Sequence, residues 1–518
     1  MAISHLGHDV LWRIFLMNAN LDVVEDLGKL YELNKGPPRY TYSALTITRR
    51  TSQVCQSWRD LILGSSSIWG RVIHLDFLNQ ETSDWREELL RRTGEAPLCV
   101  KGEVMGYVVE DFFLSLLETE WSRIRRLDVR IHNEWEFEDE TWEPLLRPTS
   151  SLECFNLNYS YSNSRILSGS KVKLFSNNAP SLREFYSSGI PFSLQASWIP
   201  QLRHITLSLP FNGPQILDAL KSMLFLESIQ LEDGIVFYQT GVGDPPLPHI
   251  VLPHLRNVAV TGHFGTCTQF LVCITPSLGC GVNVDSTNKK RIKEMTSQEL
   301  KMAESVFSRY SQNYFDVYTP TRVVLRLCRG EFHIHDLLDP IRLPSSPTFK
   351  LDIHSSPSSP ISVFINCITI TPMAALTHLD LQLSAGAIEP HNQHFIRFMY
   401  CLSSLEVLQI SSMATLEFLR SMTWTHSTPF PALHTIKMVQ SMTQSTKKLV
   451  SELMQPFLKW RVQLRFPITV LDLTFCDTGM FGNLTFLESF PGLKLRWSSQ
   501  GAFGEYLCGR RTPGALRF

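Results

Sequence analysis

The sequence has almost no net charge, and this absence narrows the kinds of partner that the protein can bind. Lys and Arg total 48 against 49 Asp and Glu, which gives a formal net charge of −1. Nucleic-acid-binding proteins normally carry a basic excess that neutralises phosphates, and attachment to an anionic membrane needs a basic cluster. We therefore expect no nucleic acid and no membrane among the partners.

Long hydrophobic runs are also missing. No stretch reaches the roughly 18 consecutive apolar residues that a transmembrane helix needs, and the nearest, 361–376, is interrupted by Asn366 and Pro372. The N-terminus lacks a basic segment followed by an apolar run, so we expect no signal peptide. The 11 cysteines are scattered along the chain, which is typical of reduced thiols in a cytoplasmic or nuclear protein.

Sequence motifs for catalysis are absent too. The chain has neither a phosphate-binding loop of the Gly-x-x-x-x-Gly-Lys type nor the Gly-x-Ser-x-Gly turn of hydrolases. The pair Gly241 and Gly243 lacks a third glycine and precedes two prolines, which cannot open a dinucleotide-binding helix. We expect a non-catalytic protein without a cofactor, and an enzyme with an unrecognised active site is the alternative.

Two clusters contain residue types that bind metals. In the segment 333–336 two histidines would lie on one face of a strand, but no further ligands are identifiable. Surface histidines are therefore the simpler interpretation, and we expect no metal. Cys267, Cys273 and Cys280 lack the paired Cys-x-x-Cys spacing of a zinc site, so we expect buried thiols.

One short pattern, apolar-x-x-apolar-x-apolar, returns along most of the chain. It begins at Ile124, Leu152, Leu202, Leu226, Leu255, Leu376, Leu405, Leu433 and Ile468. The spacings fall mostly in the range of about 20–35 residues, in which leucine-rich repeats lie.

A Pro-x-Leu step accompanies many of these units, at Pro180, Pro200, Pro253, Pro276, Pro431 and Pro491. Proline is tolerated at the first residue of a strand, so these positions predict strand entries. Candidate helices lie between the strands, at 215–226, 392–402 and 447–460. A strand followed by a helix, repeated, predicts an α/β fold with parallel strands on the inner curve of a solenoid and helices outside.

This pattern resembles divergent leucine-rich repeats, and an ordinary α/β domain with similar buried strands is the alternative. The predicted solenoid is irregular and is interrupted at about 286–360. A charged helical segment at 289–310 and a Ser- and Pro-rich stretch at 344–360, with a short strand inside it, cause the interruption. The basic run 289–291 indicates a solvated helix start, with a nuclear-import patch as the alternative.

The N-terminal segment contains two apolar stripes at helical spacing. The first stripe is Leu6, Val10, Leu11, Ile14 and Phe15, and the second is Val54, Trp58, Leu61 and Ile62. Gly64 and the serines after it end the second stripe, and Trp69 follows a short turn. An insertion at about 18–45 separates the two stripes.

Together these features resemble an F-box, although Gly7 stands where that family usually has proline. The resemblance implies docking on a Skp-family adaptor and, through it, on a cullin of a RING ubiquitin ligase. The implied adaptor contacts are Leu6, Val10, Ile14, Val54, Trp58 and Leu61. The alternative is a small helical cap that covers a core and binds nothing.

An F-box followed by leucine-rich repeats is a recurrent pairing. It implies a substrate-recognition subunit of a Skp–cullin–F-box ubiquitin ligase, in which the repeats capture an unknown target protein. The residues between and after the leucines would face that target: Asp128, Arg130, Asn156, Asn158, His204, Thr206, Gln230, Glu232, Asp380, Gln382, Gln409, Lys437 and Asp472. The alternative is a repeat-based interaction scaffold that recruits no ligase.

The predicted domains follow from these segments. They are an F-box at 1–75, a helical linker at 76–120 and a leucine-rich-repeat-like solenoid at 121–518.

Overall fold

The computed structural model describes residues 6–21, 43–132, 139–159, 173–188, 190–208, 210–237, 247–286, 296–337, 346–354, 362–369, 373–389, 392–422, 429–439, 447–476, 483–499, 502–510 and 516. Within these residues the fold is mixed α/β and divides into two compact units, Met1–Ile229 and Gln230–Phe518. This division does not coincide with the domain bounds expected from the sequence, which stay predictions. No described helix is both long enough and apolar enough to cross a membrane.

The first unit begins with short helices and continues with strands and helices in turn. Its helices are α1 (His8–Asn18), α2 (Ala44–Thr51), α3 (Gln56–Leu63), α4 (Ser66–Trp69), α5 (Asp84–Thr93), α6 (Tyr107–Glu120) and α7 (Gly213–Leu220). Its strands are β1 (Ile73–His74), β2 (Leu98–Val104), β3 (Ile124–Ile131), β4 (Cys154–Tyr159), β5 (Glu184–Ser188) and β6 (His204–Leu207), while β7 (Ser228–Leu231) spans the division.

The N-terminal helices pack around a small apolar core. Helix α1 contacts α2, α3 and α4, and it buries Leu11 and Phe15. Trp69 is fully buried, and its indole Nε1 donates a hydrogen bond to the Ile62 carbonyl oxygen at 2.9 Å. Helix α3 ends at Leu63, which confirms the helix end predicted at Gly64.

The second apolar stripe is not one helix, and the prediction that Val54 shares a helix face with Trp58 is wrong. Val54 lies in a turn, where its N–H donates to the Thr51 carbonyl oxygen at 3.3 Å. The hydroxyl of Ser52 donates to a backbone carbonyl of α2 at 2.7 Å, a local bond that competes with helix continuation. Cys55 then takes an extended backbone before α3 begins. Most of the predicted insertion at 18–45 lies outside the described residues.

Strands β1 to β6 form a parallel sheet in chain order. Successive side chains of a strand point to opposite faces, so alternate residues share a face. Leu127 and Val129 of β3 are buried and are in register with the buried Phe155 and Leu157 of β4. The residues between them lie on the opposite, polar face of the sheet.

The segment 76–120, predicted as a helical linker, contains the strand β2 in addition to α5 and α6. The sheet therefore begins before residue 121. Sequence reasoning missed β2 because Gly102 stands opposite the buried Val129, where an apolar side chain would complete the pattern. A Cβ atom at Gly102 would lie 2.6 Å from Asp76 Oδ1, so the close approach of that carboxylate explains the glycine.

The second unit contains longer helices and more strands. Its helices are α8 (Phe264–Cys273), α9 (Ser297–Phe315), α10 (Ser362–Thr369), α11 (Gln393–Cys401), α12 (Met413–Ser421) and α13 (Lys447–Gln463). Its strands are β8 (Ile250–Val251), β9 (Asn257–Thr261), β10 (Ile274–Thr275), β11 (Gly281–Asp285), β12 (Arg322–Cys328), β13 (Glu331–Asp336), β14 (Phe349–His354), β15 (His378–Leu383), β16 (Val407–Ile410), β17 (Thr435–Val439), β18 (Val470–Phe475), β19 (Lys494–Ser499) and β20 (Ala502–Leu507).

The main sheet of the second unit has the order β9-β11-β14-β13-β12-β15-β16-β17-β18-β19-β20. Neighbours are parallel, except that β13 is antiparallel to both of its neighbours and β20 is antiparallel to β19. Strands β8 and β10 form a separate parallel pair.

The interruption predicted at 286–360 takes the form of three inserted strands. The hairpin of β12 and β13 turns at Gly330, whose φ of 77° suits glycine, and β14 returns beside β11. Strand β14 confirms the short strand predicted within 344–360. The charged helical segment corresponds to α9, while its basic run 289–291 lies outside the described residues.

The repeated apolar pattern correctly predicts strands. Its second and third apolar residues are buried on β3, β4, β6, β7, β9, β15, β16, β17 and β18. The predicted helices at 392–402 and 447–460 are confirmed as α11 and α13, and the one at 215–226 corresponds to the shorter α7.

The prolines, however, do not occupy the first residue of a strand. Five of the six stand in turns that precede the strands, where the leucine N–H donates to the carbonyl oxygen of the residue before the proline, whereas Pro276 directly follows β10. Such turns hold Pro180, Pro200, Pro253, Pro431 and Pro491. Proline is favoured at the second position of this turn because its φ is already fixed near the required value.

Candidate functional site

The predicted adaptor-binding residues of α1 lie on its outer face. Val10 is 47% exposed and Ile14 is 39% exposed, and Met17, which sequence reasoning missed, continues the stripe at 72%. This apolar stripe lies about 100° around the helix from the buried side formed by Leu11 and Phe15, because Val10 and Ile14 each directly precede one of these buried residues. Its spacing along the sequence, four and then three residues, is the signal that would have found Met17. Helix α1 is therefore apolar on two faces, of which one is available to a partner.

The other predicted adaptor contacts differ in accessibility. Val54 is 62% exposed in its turn, whereas Leu6, Trp58 and Leu61 are half-buried. The ring of Trp58 packs edge-on against Phe15, with centroids 5.0 Å apart. Trp58 therefore contributes to the internal packing of the helices as well as to their surface.

Three predicted target-binding residues of the first unit lie in one transverse row across its sheet. Asp128 of β3 is in register with Asn156 of β4, which is followed across β5 by Tyr186 and across β6 by Thr206. The amide Nδ2 of Asn156 donates to Asp128 Oδ1 at 2.7 Å, and Lys101 Nζ lies 3.5 Å from Asp128 Oδ2. Sequence reasoning missed Lys101 and Tyr186, because β2 and β5 carry incomplete forms of the apolar pattern.

The remaining residues of this face fall into adjacent rows. Arg130 is in register with Asn158 on one side and with Glu103 on the other, and Arg130 Nη1 lies 3.5 Å from Glu103 Oε1. His204 is in register with Glu184 in a third row. On this face Lys101, Arg126 and Arg130 thus each lie within 4.0 Å of a carboxylate oxygen.

Four predicted residues of the second unit form a second transverse row. Asp380, Gln409, Lys437 and Asp472 are in register across β15, β16, β17 and β18. The amide Nε2 of Gln409 donates to Asp380 Oδ2 at 2.7 Å. Asp472 accepts hydrogen bonds from the backbone N–H and the hydroxyl of Thr474, at 3.0 and 2.7 Å.

Gln382 lies in the next row and links two charged residues. Its Oε1 accepts a hydrogen bond from Arg326 Nε at 2.9 Å, and its Nε2 donates to Asp380 Oδ1 at 3.4 Å. Burial raises the pKa of the Asp380 carboxyl, although the amides of Gln382 and Gln409 and the charges of Arg326 and Lys437 oppose that shift.

Gln230 and Glu232 are not included in these rows. Gln230 is exposed on β7, and Glu232 is half-buried just after it.

A register shift places an aromatic ring on the polar face of the second unit. Lys437 is in register with Asp472, but two residues later Val439 is in register with Phe475, which is three residues after Asp472. Strand β18 therefore has one extra residue relative to β17. Such a bulge turns a side chain to the other face. Phe475 is 59% exposed, and Lys437 Nζ lies 4.2 Å from its ring centroid. The strand alternation of 470–475 gave no signal for this placement.

His333 and His335 lie on the same face of β13, as predicted, with ring centroids 6.4 Å apart. His333 Nδ1 lies 3.4 Å from Asp352 Oδ2. Burial lowers the pKa of both imidazoles, and Asp352 opposes the shift at His333. Among the residues that the structure describes, no group of three or more His, Cys, Asp or Glu side chains could hold a metal ion.

The three cysteines at 267–280 are buried, as predicted. Burial raises the pKa of Cys267 and of Cys280 to about 12, and it also raises the pKa of Cys273. Thiols of this kind stay protonated and behave as small apolar side chains.

Comparisons with known proteins identify no family for this chain. No family model matches it, and no curated protein matches it either. One solved structure that it resembles is the leucine-rich repeat-containing protein LegL7 from Legionella pneumophila, with a TM-score of 0.24 and 12% sequence identity. That likeness covers 61% of this chain and 93% of the other.

Proposed function

We propose that this protein is a non-catalytic binding subunit that captures a target protein on its polar strand faces. In the finer form of this proposal it is the substrate-recognition subunit of a Skp–cullin–F-box ubiquitin ligase. The N-terminal helices would bind a Skp-family adaptor and, through it, a cullin. The target would then be held close to the ubiquitin-conjugating enzyme.

The observation that carries the proposal is the alignment of polar side chains across neighbouring strands. In the second unit Asp380, Gln409, Lys437 and Asp472 stand side by side in one row, although they are far apart in sequence. Strand neighbours are about 4.8 Å apart, so such a row offers regularly spaced polar groups to a protein surface. Repeat proteins bind their partners on extended faces of this kind.

The apolar stripe on α1 supports the part of the proposal in which the N-terminal helices bind an adaptor. Val10, Ile14 and Met17 are exposed on a helix whose other face is already packed. Exposed apolar groups placed together on one helix favour docking against a partner. Hence Val10 and Ile14 are better tests of the interface than Trp58, which also packs against Phe15.

In this proposal the contribution of the chain to ubiquitin transfer is proximity. Binding the target and the adaptor at the same time converts an encounter between separate molecules into a reaction within one complex. We expect the chain itself to provide no catalytic group. Its partners are then a target protein, a Skp-family adaptor and a cullin, within the cytoplasm or the nucleus.

The test is affinity purification of three forms of the full chain, followed by mass spectrometry. The forms are the wild type, the double variant Val10→Asp, Ile14→Asp, and the control Leu224→Asp, which changes another exposed apolar residue of the first unit. We expect the wild type and the control to retain a Skp-family adaptor and a cullin, and the double variant to lose both. Adaptor and cullin retained by the folded double variant, or absent from the wild type, would contradict the ligase role.

The alternative is an interaction scaffold that recruits no ligase. The contact between Trp58 and Phe15 favours it, because it shows that the N-terminal helices have a core of their own and could act as a cap. Binding of the adaptor without any cullin would support the scaffold.

A further inference from the structure

We propose that the polar face of the second unit binds an extended, acidic segment of the target protein, with an apolar side chain of that segment placed against Phe475. The binding surface consists of Arg322, Arg326, Gln409, Lys437 and Phe475, on β12 and β16 to β18. This inference rests on the proposed capture of a target, and it adds the chemical class of the segment that is captured.

The first reason is that three cations on this face have no carboxylate partner. Among the described residues, Arg322, Arg326 and Lys437 have no carboxylate oxygen within 4.0 Å, the limit for an ion pair. Arg326 is bonded to the neutral amide of Gln382, and Lys437 lies over the ring of Phe475. Cations left unpaired on a surface attract an anionic partner.

Other cations of the same sheet have the carboxylate partner that Arg322, Arg326 and Lys437 lack. Lys350 Nζ lies 3.9 Å from Asp352 Oδ2, and Lys494 Nζ lies 3.5 Å from Glu505 Oε2. Arg496 Nε lies 2.8 Å from Glu505 Oε1. Among the strand residues that the structure describes in this sheet, the cations without a carboxylate partner thus lie on β12 and β17, between the paired cations of β14 and β19.

The second reason is the spacing of these cations. Arg322 and Arg326 lie on one face of β12, and Arg322 is in the same row as His378, Val407 and Thr435. From β12 to β17 the sheet advances by three strand spacings, or about 14 Å. An extended segment of about five residues spans that distance. A carboxylate near each end could therefore reach Arg326 and Lys437 together.

The carboxylates of this face, Asp380 and Asp472, do not form ion pairs with its cations. Asp380 accepts hydrogen bonds from Gln382 and Gln409, and Asp472 accepts two from Thr474. Both are therefore held by neutral donors. The amide of Gln409, which is in register between Asp380 and Lys437, can still offer its carbonyl oxygen to the backbone of a bound segment.

The third reason is the ring of Phe475. The bulge in β18 brings it to the polar face, and it stays 59% exposed beside the Lys437 ammonium. Aromatic side chains are enriched in protein interfaces, where a few well-packed side chains carry most of the binding energy. Phe475 therefore favours an acidic segment that also carries an apolar side chain.

The test is selection of peptides from a random 12-residue display library on the full chain. The variants are Lys437→Glu, Lys437→Met and Phe475→Ala, and the matched control is Lys459→Glu, which reverses an exposed lysine on α13. Circular dichroism would verify that each variant is folded. Re-synthesised peptides would then be titrated against every form, at low and at high salt.

We expect the wild type and the control to select peptides rich in Asp and Glu beside an apolar residue. Lys437→Glu should weaken binding of these peptides by about tenfold or more, Lys437→Met and Phe475→Ala less, and added salt should weaken it further. Peptides without acidic enrichment, no selected peptides, or equal affinity for Lys437→Glu would overturn the inference.

Adaptor binding separates this inference from the proposed function. The Lys437→Glu variant should still co-purify with a Skp-family adaptor, while Val10→Asp, Ile14→Asp should still bind the acidic peptides. Loss of peptide selection with the adaptor retained rejects only the acidic segment. Peptide binding without any adaptor rejects only the ligase role.

Discussion

The polar faces of the two units have the same strand pattern, but they differ in whether their cations form ion pairs with carboxylates. In the first unit Lys101 lies beside Asp128, Arg130 beside Glu103, and Arg126 Nη2 lies 3.8 Å from Glu184 Oε2. In the second unit Arg326 is bonded to the amide of Gln382 and Lys437 lies over the ring of Phe475, and neither cation has a described carboxylate oxygen within 4.0 Å. A face that pairs its own charges gains local order, whereas a face with unpaired cations keeps attraction for an anionic partner.

The buried faces of the two units should behave alike, and this prediction has the largest expected effect. Leu127 of β3 and Leu408 of β16 are both fully buried at equivalent positions of the pattern. Replacing either by alanine removes buried apolar surface and leaves a cavity, so each change should lower the free energy of unfolding by about 2–5 kcal/mol. Urea unfolding followed by circular dichroism measures it.

A loss at one of these leucines below about 1 kcal/mol would show that its strand is not part of a packed core. The exposed Val251→Ala provides the control, because its side chain is 61% exposed.

The polar faces should respond differently to the loss of one positive charge. Lys101→Met removes the nearer of two cations at the half-buried Asp128, the other being Arg126, and should cost about 1 kcal/mol. Lys437→Met removes no ion pair, so its effect should stay within about 0.5 kcal/mol. Chemical denaturation of both variants at low salt gives the two values. Equal losses would remove the distinction between the two faces.

The third and smallest expected effect depends on pH. Burial raises the pKa of Asp380, so the folded state holds this proton more tightly than the unfolded state. The resulting stabilisation is complete below the unfolded pKa and is lost as the pH rises through the raised folded value. The ionised carboxylate thus lowers the free energy of unfolding of the wild type at neutral pH. Asp380→Asn, which keeps an oxygen for Gln409, should be more stable than the wild type at that pH.

The difference between Asp380→Asn and the wild type should disappear as the pH falls into the acid range. Urea unfolding at neutral pH and under acid conditions measures it. A variant less stable than the wild type at neutral pH would mean that the charge of Asp380 is needed by Arg326 and Lys437.

The strands could be predicted because burial on one face of a sheet imposes a period of two. That period together with parallel pairing places Asp128 beside Asn156 and Gln409 beside Lys437 on neighbouring strands. The helix limits at α11 and α13 were equally readable, since Asn392 caps one and apolar spacing marks the other.

Other features depend on contacts that no local pattern records. The turn at Val54 interrupts a residue spacing that is typical of a helix. Strand β2 lacks the apolar pattern at Gly102, where the close approach of the Asp76 carboxylate leaves no room for a side chain. Phe475 reaches the polar face through a single extra residue in β18, which reverses the expected alternation. The insertion of β12 to β14 required long-range pairing that single-strand patterns do not specify.

Whether the N-terminal helices recruit a ligase is tested most directly by titrating a purified Skp-family adaptor into the purified full chain by calorimetry. We predict specific binding to the wild type, and binding weakened by about tenfold or more in Ile14→Asp, because a charge on the exposed stripe of α1 would be placed in the interface. No binding by the folded wild type, or equal binding by the folded variant, would contradict the account.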